Sequence, residues 1–419
     1  MRKKFLVPLL LCLALVFTVF TAGCPAPAAV PQPEVPAPEP VLPPRESILI
    51  GSVSSLSGPL ATVEDAAFGP IRRMWIDDVN ARGGIFIEEY GKSFPLELIE
   101  YDDTSDAGTL TRLMTKLILE DQVDLLLPPT GTGMLHAAAP VANKHGMILS
   151  GMSGGGLSLQ RVISGLPYVF VNLSFVYTQG PAFADLAQAL GVQTAAVAFI
   201  GDLHGVEYSS VIVPQLEMRG IDVVLLESIP PGTKDMTPIL REAKAANVDA
   251  FLNLTLPAEN ILAVRQSIEI GFNPKLFLVG PGGNFGFFKE MFGEQIDGLM
   301  AWGAWNAETS PGAAEFLDKF LAIHPETLVD HWGHLYYWGA LQFLEQAIVR
   351  AGTLDNSAIR EVMVTETFET VLGPTRYENQ LLAEESHPGQ VGQWQDGRFE
   401  VIAPPERATA EPLYPKPTW

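Results

Sequence analysis

The amino-acid sequence predicts an α/β protein made of two doubly wound, Rossmann-like lobes. Short apolar runs that do not alternate with polar residues predict strands buried on both faces of a parallel sheet, and helical stretches separate these runs. The strand–helix pattern starts again after Phe170, and a chain of 419 residues exceeds the size of one ordinary hydrophobic core. The repeated βα units and the chain length together indicate two lobes.

The stretch Val123–Gly156 shows this pattern most clearly. It predicts a strand, a glycine-rich turn, a helix, a second strand and then a second glycine-rich turn, the first four being Val123–Leu127, Pro129–Gly133, Met134–Lys144 and Met147–Leu149. Parallel strands joined by a helix end at the same edge of their sheet, and open parallel sheets bind ligands at that edge. We therefore expect both turns to lie at a ligand-binding edge.

Two more strands, each followed by a helix, are predicted before this unit: Ser47–Ser52, Ala66–Ala81, Leu96–Tyr101 and Ala107–Glu120. In the first helix Phe68, Ile71, Trp75 and Val79 recur at helical spacing, which predicts a buried face. The pair Gly83-Gly84 is a typical signal for the end of a helix.

A second lobe is predicted from Gln179 onward. Its first helix is expected to begin near Gln179-Gly180-Pro181, with the proline in the first turn. Alternating strands and helices follow at Ala195–Ile200, Val206–Arg219, Val223–Ser228, Met236–Ala246 and Ala250–Leu254, then a helix ending at Ile270 and the strand Leu276–Val279. The last strand leads into a turn that contains Gly282.

The C-terminal part predicts three helices without strands between them, Gly312–Ala322, Trp332–Ala351 and Ser357–Val364, which suits helices added to the first lobe. A hairpin of Gly389–Gln395 and Arg398–Ile402 follows, because the Asp-Gly pair between these runs is typical of type I′ turns.

The N-terminal residues form a targeting segment and are excluded from the fold. Basic residues at positions 2–4 precede the apolar run Phe5–Phe20 and three small residues before Cys24. This order resembles a bacterial lipoprotein signal, which implies removal of residues 1–23 and a lipid on Cys24; an uncleaved membrane anchor is the alternative. Residues 24–45 are rich in proline and predict an extended tether.

Composition excludes several kinds of function. The chain has 48 acidic and 26 basic residues, which argues against binding nucleic acid or an anionic membrane surface by charge. The only other cysteine, Cys12, lies in the targeting segment, so the mature chain has no disulfide, no thiol nucleophile and no cysteine-bound metal.

Six short motifs occur in order along the chain: Leu56-Ser57-Gly58-Pro59, Val79-Asn80-Ala81-Arg82-Gly83-Gly84-Ile85, Tyr101-Asp102-Asp103, Gln179-Gly180-Pro181, Gly232-Thr233-Lys234-Asp235 and Val371-Leu372-Gly373-Pro374. Together they resemble the branched-chain amino-acid-binding family of type I periplasmic binding proteins, the substrate-binding lipoproteins of ABC transporters. The resemblance implies two lobes joined by three crossovers. Residues 46–172 and 302–388 would form lobe I, and residues 173–301 and 389–419 would form lobe II.

The same resemblance implies a function. We expect an extracytoplasmic, monomeric protein, anchored to the cell membrane by its lipid, that delivers a small polar ligand to the permease subunits of an ABC importer. Delivery would depend on hinge closure of the two lobes. No enzyme activity, catalytic residue, cofactor or metal is expected. A ligand-sensing subunit of a receptor or regulator is the alternative that the sequence leaves open.

The resemblance also places candidate ligand-binding residues in the predicted turns. One of them, Thr132, matches a hydroxyl that meets the ligand carboxylate, and free amides at helix N-termini would complete a small anion site. At another position the family usually has Ser or Thr, and this chain has Gly155. The expected set is Thr132, Gly133, Ser153, Gly154, Gly155, Tyr177, His204 and Gly282.

A missing acid predicts the class of ligand. The amino-acid binders of the family carry a carboxylate where this chain has Gly282, and their other acid position falls on Val176. An ammonium buried without a partner costs several kcal/mol. The sequence therefore predicts a small acid, amide or other polar ligand without a free α-amine.

Two further patterns have alternative interpretations. The run Gly151-Met152-Ser153-Gly154-Gly155 fits the G-x-S-x-G pattern, with Ser153 as the nucleophile of a hydrolase, although three consecutive glycines loosen the turn. His331 and His334 lie three residues apart on a predicted helix, near Asp330, and could share a metal ion. We expect neither activity.

Overall fold

Strands and helices alternate along most of the folded chain, as the apolar pattern predicts. A computed structural model describes residues 42–386 and 389–419. The strands are β1 (Ile48–Ser54), β2 (Ile85–Ile87), β3 (Lys92–Phe94), β4 (Leu96–Asp102), β5 (Leu125–Leu127), β6 (Leu149–Gly151), β7 (Val169–Val171), β8 (Thr194–Ile200), β9 (Asp222–Ile229), β10 (Ala250–Leu254), β11 (Leu276–Val279), β12 (Leu299–Trp302), β13 (Phe368–Thr370), β14 (Gly373–Thr375), β15 (Tyr377–Glu378), β16 (Leu381–Leu382), β17 (Val391–Gln395) and β18 (Arg398–Ala403).

The helices are mostly longer than the strands. They are α1 (Ala61–Val63), α2 (Gly69–Ala81), α3 (Ala107–Leu119), α4 (Thr132–Lys144), α5 (Leu157–Ile163), α6 (Val176–Ala189), α7 (Leu203–Met218), α8 (Thr237–Ala245), α9 (Pro257–Ile270), α10 (Gly286–Phe292), α11 (Ala313–Leu321), α12 (His334–Ala351) and α13 (Asn356–Thr365). A π-helical turn, Glu64–Phe68, leads into α2, and 3₁₀ turns occupy Glu88–Tyr90, Gly293–Ile296, Glu326–Leu328, Glu384–Ser386 and Pro405–Arg407.

Two seven-stranded sheets organise the described residues. The first has the strand order β15-β16-β7-β6-β5-β1-β4, and its strands from β16 to β4 are parallel. The second has the order β18-β17-β12-β11-β10-β8-β9, with five parallel strands extended by an antiparallel hairpin. Helices cover these sheets to give two α/β lobes, which confirms the predicted fold class. We call the lobe around the first sheet the first lobe and the other the second lobe.

The chain passes three times between the two sheets. It leaves the first sheet after β7, leaves the second after β12, and enters the second again at β17. Between the last two passages α12 packs on α2, β2 and β6 of the first lobe. Helix α12 therefore packs with elements of the first lobe, and α13 packs on α12.

Local predictions hold where apolar spacing and glycines determine the structure. Phe68, Ile71, Trp75 and Val79 are all buried, and α2 ends just before Gly83-Gly84, where both glycines have positive φ. The hairpin of β17 and β18 turns at Asp396 and Gly397, which have φ values of 48° and 72°. Positive φ at both central residues is the requirement of a type I′ turn.

Predictions of where helices begin were less accurate. Helix α6 begins at Val176, so Pro181 lies inside it rather than in its first turn. The Val176 amide donates a hydrogen bond to the carbonyl of Gly155 at 2.9 Å. A contact with a distant loop thus accompanies this helix start, and sequence spacing does not show it. Similarly, α12 begins at His334, so His331 does not lie on that helix.

The targeting segment is not part of the described structure. The predicted signal peptide, Cys24 and most of the predicted tether lie outside the described residues. Within residues 42–386 and 389–419, no helix combines the length and the apolar character needed to cross a membrane.

Candidate ligand-binding site

A cavity of about 320 Å³ lies between the two lobes. Its lining comes mainly from turns that follow the carboxyl ends of strands in both sheets, together with the π-helical turn and a segment before α12. Open parallel sheets bind ligands at this edge. The two glycine-rich turns of Val123–Gly156 meet here because β5 and β6 are neighbouring parallel strands.

We call the side formed by residues 130–133 and 152–155 the first wall. Thr132 is the first residue of α4 and follows Gly131, whose φ of 93° is rarely accessible to other residues. Thr132 is 4% exposed, and its Oγ1 has no hydrogen-bond partner among the described atoms. The first amides of a helix have no partner within the helix. The cavity therefore meets a buried hydroxyl and unpaired amides at one helix N-terminus.

The two turns of the first wall are fixed to each other. Ser153 donates a hydrogen bond from Oγ to the carbonyl of Pro129 at 2.7 Å. A Cβ at Gly154 would lie 2.2 Å from the backbone nitrogen of Thr132. Only a glycine lets the second turn approach the first this closely.

The glycine at 155 has a partner in the second lobe. A Cβ there would lie 2.7 Å from the hydroxyl of Tyr208, which is fully buried. That hydroxyl donates to Gln179 Oε1 at 3.0 Å, and the Gln179 amide donates to Ser174 Oγ at 3.1 Å. The Tyr208 hydroxyl thus fills the space that a side chain at 155 would occupy, which explains the glycine.

We call the side formed by residues 202–204, 256, 281 and 285 the second wall. Asp202 caps α7 by accepting a hydrogen bond from the Gly205 amide at 2.9 Å, and this places His204 in the first turn. The His204 ring lies 4.2 Å from the Tyr208 ring, and its buried Nε2 has no partner among the described atoms. Burial lowers the pKa of His204 to about 4, against a smaller opposing effect of Asp202. The imidazole is therefore neutral near pH 7.

Two residues of the expected set, Gly282 and Tyr177, are not part of the cavity lining. Gly282 is next to the lining residue Pro281, but it is not itself part of the lining. Tyr177 lies away from the cavity, since its ring stacks on Phe175 at 5.6 Å and borders a separate surface pocket that includes Arg161. The structure thus brings Thr132, Gly133, Ser153, Gly154, Gly155 and His204 together in one lining and leaves Tyr177 outside it.

Residues 326–333 form a linking segment that contacts both lobes. The Gly286 amide of the second lobe donates to the Val329 carbonyl at 2.9 Å, and the buried His334 that follows the segment donates from Nε2 to the Ala66 carbonyl of the first lobe at 2.9 Å. This segment adds Asp330 and Trp332 to the lining. The sequence placed no acid at Gly282 or Val176, and the linking segment supplies one from a position that sequence reasoning did not consider.

Sequence reasoning also missed most of the apolar lining. These side chains come from α1, the π-helical turn, the first turns of α4 and α7, and loops of both lobes, so no single periodic pattern marks them. They are Leu60, Val63, Ala67, Phe68, Met134, Met152, Leu173, Leu203, Leu256, Phe285 and Trp332.

The structure assembles neither the hydrolase site around Ser153 nor the metal site of His331 and His334. Helix α5 begins at Leu157, four positions beyond Ser153, so the turn is not the direct strand-to-helix elbow of a hydrolase. His331 stacks on Phe399 at 4.9 Å, whereas His334 bonds to the Ala66 carbonyl. Within the described part of the chain, no three His, Cys, Asp or Glu side chains are grouped to hold a metal ion.

Two α/β lobes around an interlobe cavity define a class of two-lobed binding proteins, and comparison with known proteins identifies the family. The sequence model described as "Periplasmic binding protein" matches residues 47–398. The chain belongs to the periplasmic binding protein family. This is a family of extracytoplasmic solute-binding proteins, not of enzymes.

Relatives and solved structures agree with this assignment. The chain is 23% identical to the Leu/Ile/Val-binding protein homolog 7 of Brucella abortus (strain 2308), covering 89% of this chain and 96% of that protein. It is 21% identical to the Leu/Ile/Val-binding protein of Escherichia coli (strain K12), covering 80% and 87%.

Among solved structures, the substrate binding protein LivJ of Streptococcus pneumoniae, in complex with isoleucine, matches with a TM-score of 0.72, 20% identity and coverage of 86% and 100%. A solute binding protein of an ABC transporter from Rhodopseudomonas palustris BisB5, in complex with 3,4-dihydroxy benzoic acid, matches with a TM-score of 0.71, 16% identity and coverage of 89% and 99%. These structural matches show that the fold is shared.

Proposed function

We propose that this protein is the solute-binding component of an ABC importer and captures a small carboxylate with an apolar body. The observation that carries the proposal is Thr132, a lining residue of the interlobe cavity whose buried hydroxyl is unpaired at the N-terminus of α4. A hydroxyl and free amides at a helix N-terminus stabilise an anion without a full positive charge. Among the described lining residues there is no Lys or Arg, so the helix terminus is the cavity's anion-binding feature.

The apolar lining indicates what accompanies the carboxylate. Side chains such as Phe68, Met152 and Trp332 surround the polar groups, and burial of apolar ligand surface against them would supply affinity at about 25 cal/mol per Å². Small-molecule sites commonly combine such a lining with a few placed polar groups. We therefore place an aliphatic or aromatic body beside the anion site.

Hinge closure is the proposed means of capture, with residues 46–172 and 302–388 as lobe I and residues 173–301 and 389–419 as lobe II. The lobes already touch across the cavity, since the Ser158 amide of α5 donates to Glu207 Oε2 of α7 at 3.2 Å. Contacts of this kind form only when the lobes are closed. A ligand that binds both walls would favour the closed state over an open one.

A thermal-shift panel tests the proposal with leucine, valine, phenylalanine, benzoate and 4-methylpentanoate, each beside the amide in which its carboxylate is replaced by an uncharged carboxamide. A carboxylate at about a hundred times its dissociation constant should add roughly 2.7 kcal/mol of stability, and its amide should add less. Small-angle scattering should show a smaller radius with the bound carboxylate. If amides match or exceed the acids throughout, the anion site is wrong.

Importer function has its own test, because a sensing subunit would bind the same ligand. Deletion of the gene should abolish high-affinity uptake of the ligand found in the panel, and restoring the chain should recover it. Normal uptake with loss of a ligand-dependent response would favour the sensing alternative.

We also propose that Cys24 carries the lipid that holds the protein at the membrane. Cys24→Ser should release the protein to the soluble fraction or leave residues 1–23 attached, because the lipid is added at that sulfur. An unmodified Cys24, found by intact mass in membrane-bound protein, would contradict lipid anchoring.

A further inference from the structure

A second cavity, of about 340 Å³, is bordered by three helices of the first lobe, α2, α11 and α12, and by the turn between β13 and β14. We call it the first-lobe cavity; among the described residues it shares no lining residue with the interlobe cavity. On α12 its lining residues recur at the spacing of one helix face, and they are Trp338, Gln342, Glu345 and Gln346. Helix faces that pack against other helices are normally apolar. These faces instead leave a polar space that is large enough for a small molecule.

The buried part of this lining is aromatic and holds an unpaired donor. Trp75, Phe316 and Trp338 line the first-lobe cavity, and all three are buried. Trp75 is 1% exposed, and its Nε1 has no hydrogen-bond partner among the described atoms. An indole N–H can only donate, and a buried donor without an acceptor costs stability. A phenylalanine would avoid this cost, so Trp75 points to an acceptor that enters from the cavity.

The more exposed part of the lining carries charges of both signs that are already paired. Arg82 donates two hydrogen bonds to the Glu345 carboxylate, at 2.8 and 2.9 Å, and one to Asp78 at 3.1 Å. Lys319 pairs with Asp78, and its Nζ lies 4.8 Å from the centroid of the Trp338 ring. These pairs link the end of α2 to α11 and α12. A ligand with a net charge gains little here, because the opposite charge that it needs already has a partner.

One further acid of the lining does not change this conclusion. Glu315 has no ion pair in the described part of the chain, but its side chain is exposed. An ion pair at an exposed position contributes little, since water and salt screen it. The first-lobe cavity therefore offers many hydrogen-bonding groups and no strong preference for either charge.

We propose that the first-lobe cavity binds a neutral saccharide through its hydroxyl groups, at a site separate from that of the transported ligand. A hydroxyl both donates and accepts hydrogen bonds. A saccharide can accept from Trp75 Nε1 and from the guanidinium of Arg82. It can also donate to the remaining lone pairs of the Asp78 and Glu345 carboxylates, which leaves both ion pairs in place. The apolar face of its ring can cover the aromatic side chains of the lining.

The test uses the full-length protein and probes that share one ring but differ in charge. Glucose and N-acetylglucosamine are the neutral probes, glucosamine is the cation and glucuronate is the anion, and saturation-transfer NMR titrations measure their affinities. At least one neutral probe should bind saturably, and about tenfold more tightly than either charged probe. Trp75→Phe should weaken that probe about tenfold, because it keeps a ring and removes the N–H. Trp419→Phe is the matched control, since Trp419 lies in neither lining.

The remaining outcomes decide against the proposal. No saturable binding of either neutral probe overturns it, and so does tighter binding of a charged probe. If Trp75→Phe lowers the melting temperature, Arg82→Ala replaces it, because the Arg82 side chain is half exposed and should tolerate the change. Unchanged affinity in the variant that folds normally would place the saccharide elsewhere. Competition between the saccharide and the carboxylate found in the thermal-shift panel would place it in the interlobe cavity, and this also overturns the proposal while leaving the transport function intact.

Discussion

The first wall is built differently from the opposite side of the cavity. We call that opposite side, which consists of the second wall and the linking segment, the second side. The first wall consists of two turns close in sequence, joined by the Ser153–Pro129 hydrogen bond and by the close approach of Gly154 to Thr132. The opposite side combines the start of α7, Pro281 and the linking segment with Asp330 and Trp332, which are far apart in the sequence. One side presents helix amides to an anion, and the other presents a carboxylate, a neutral imidazole and apolar surface.

The comparison separates a wall built from neighbouring elements of the chain from a side that the tertiary fold assembles. The first wall can form once β5, α4 and β6 have folded as one βαβ unit. The second side needs the second lobe and the linking segment to be in place. The first wall therefore rests on contacts within one βαβ unit, whereas the second side rests on the placement of the second lobe and the linking segment.

The largest effect is expected at the contact between the two turns. Gly154→Ala would bring a methyl group within 2.2 Å of the Thr132 backbone nitrogen, where only a backbone shift can relieve the clash. We expect loss of ligand binding by calorimetry, because the shift moves the amides of α4. Gly165→Ala is the control, since its added Cβ meets its nearest atom at 3.6 Å. Full affinity in Gly154→Ala would show that the turns do not depend on each other.

The free energy of unfolding should fall in acid because of buried histidines in the second wall and in or next to the linking segment. Burial lowers the pKa values of His204 and His331 to about 4 and of His334 to about 3, so between pH 4 and 6.5 the unfolded chain binds more protons than the folded one. The contribution of these histidines to the free energy of unfolding is therefore complete above pH 6.5 and is lost as the pH drops below that value. Asp330, with its pKa raised by burial to about 7, acts in the opposite direction and offsets one of the three protons.

Burial also lowers the pKa of His324, so these five groups leave a net difference of at most three protons and limit the slope to about 4.1 kcal/mol per pH unit. Urea unfolding of the ligand-free protein at several pH values measures it. His331→Phe, which keeps a ring stacked on Phe399, should reduce the slope by about 1.4 kcal/mol per unit at most. A slope that does not change in this variant would mean that His331 is not a neutral buried group.

A smaller effect is expected from the hydroxyl of the first wall. Thr132→Ala removes a buried, otherwise unpaired oxygen next to the expected ligand carboxylate, so affinity should fall about tenfold. Thr132→Ser is the matched control, because it keeps the hydroxyl. Equal affinity in the two variants would place the carboxylate elsewhere in the cavity.

The smallest effect is a spectroscopic one. Trp302, at the end of β12, and Trp305 lie where the chain leaves the second sheet, but both are fully buried and neither lines the cavity. Trp332 lines it and donates from Nε1 to Ser174 Oγ at 3.0 Å. We expect Trp332→Phe to remove most of the ligand-induced change in tryptophan emission, while Trp338→Phe keeps it. A change that survives in Trp332→Phe would come from the crossover tryptophans after all.

Most of the fold and the first wall could be derived from the sequence. Apolar runs and helical spacing placed the elements of both lobes. A strand that is buried on both faces of a parallel sheet is a continuous apolar run in the sequence, which can be recognised directly. The turns at Thr132 and Ser153 were placed because strand, turn and helix follow one another within a few residues. Their common edge then followed from the parallel direction of two strands joined by one helix.

The tertiary structure alone decided the second side. Asp330 reaches the cavity from a segment that is distant in sequence from both glycine-rich turns and from Gly282, so sequence reasoning did not include it in the site. Tyr208 explains Gly155 across the lobe boundary, and the helix that begins at Val176 turns Tyr177 away from the cavity. These contacts join residues far apart in the chain, and such distances leave no periodic pattern in a single sequence.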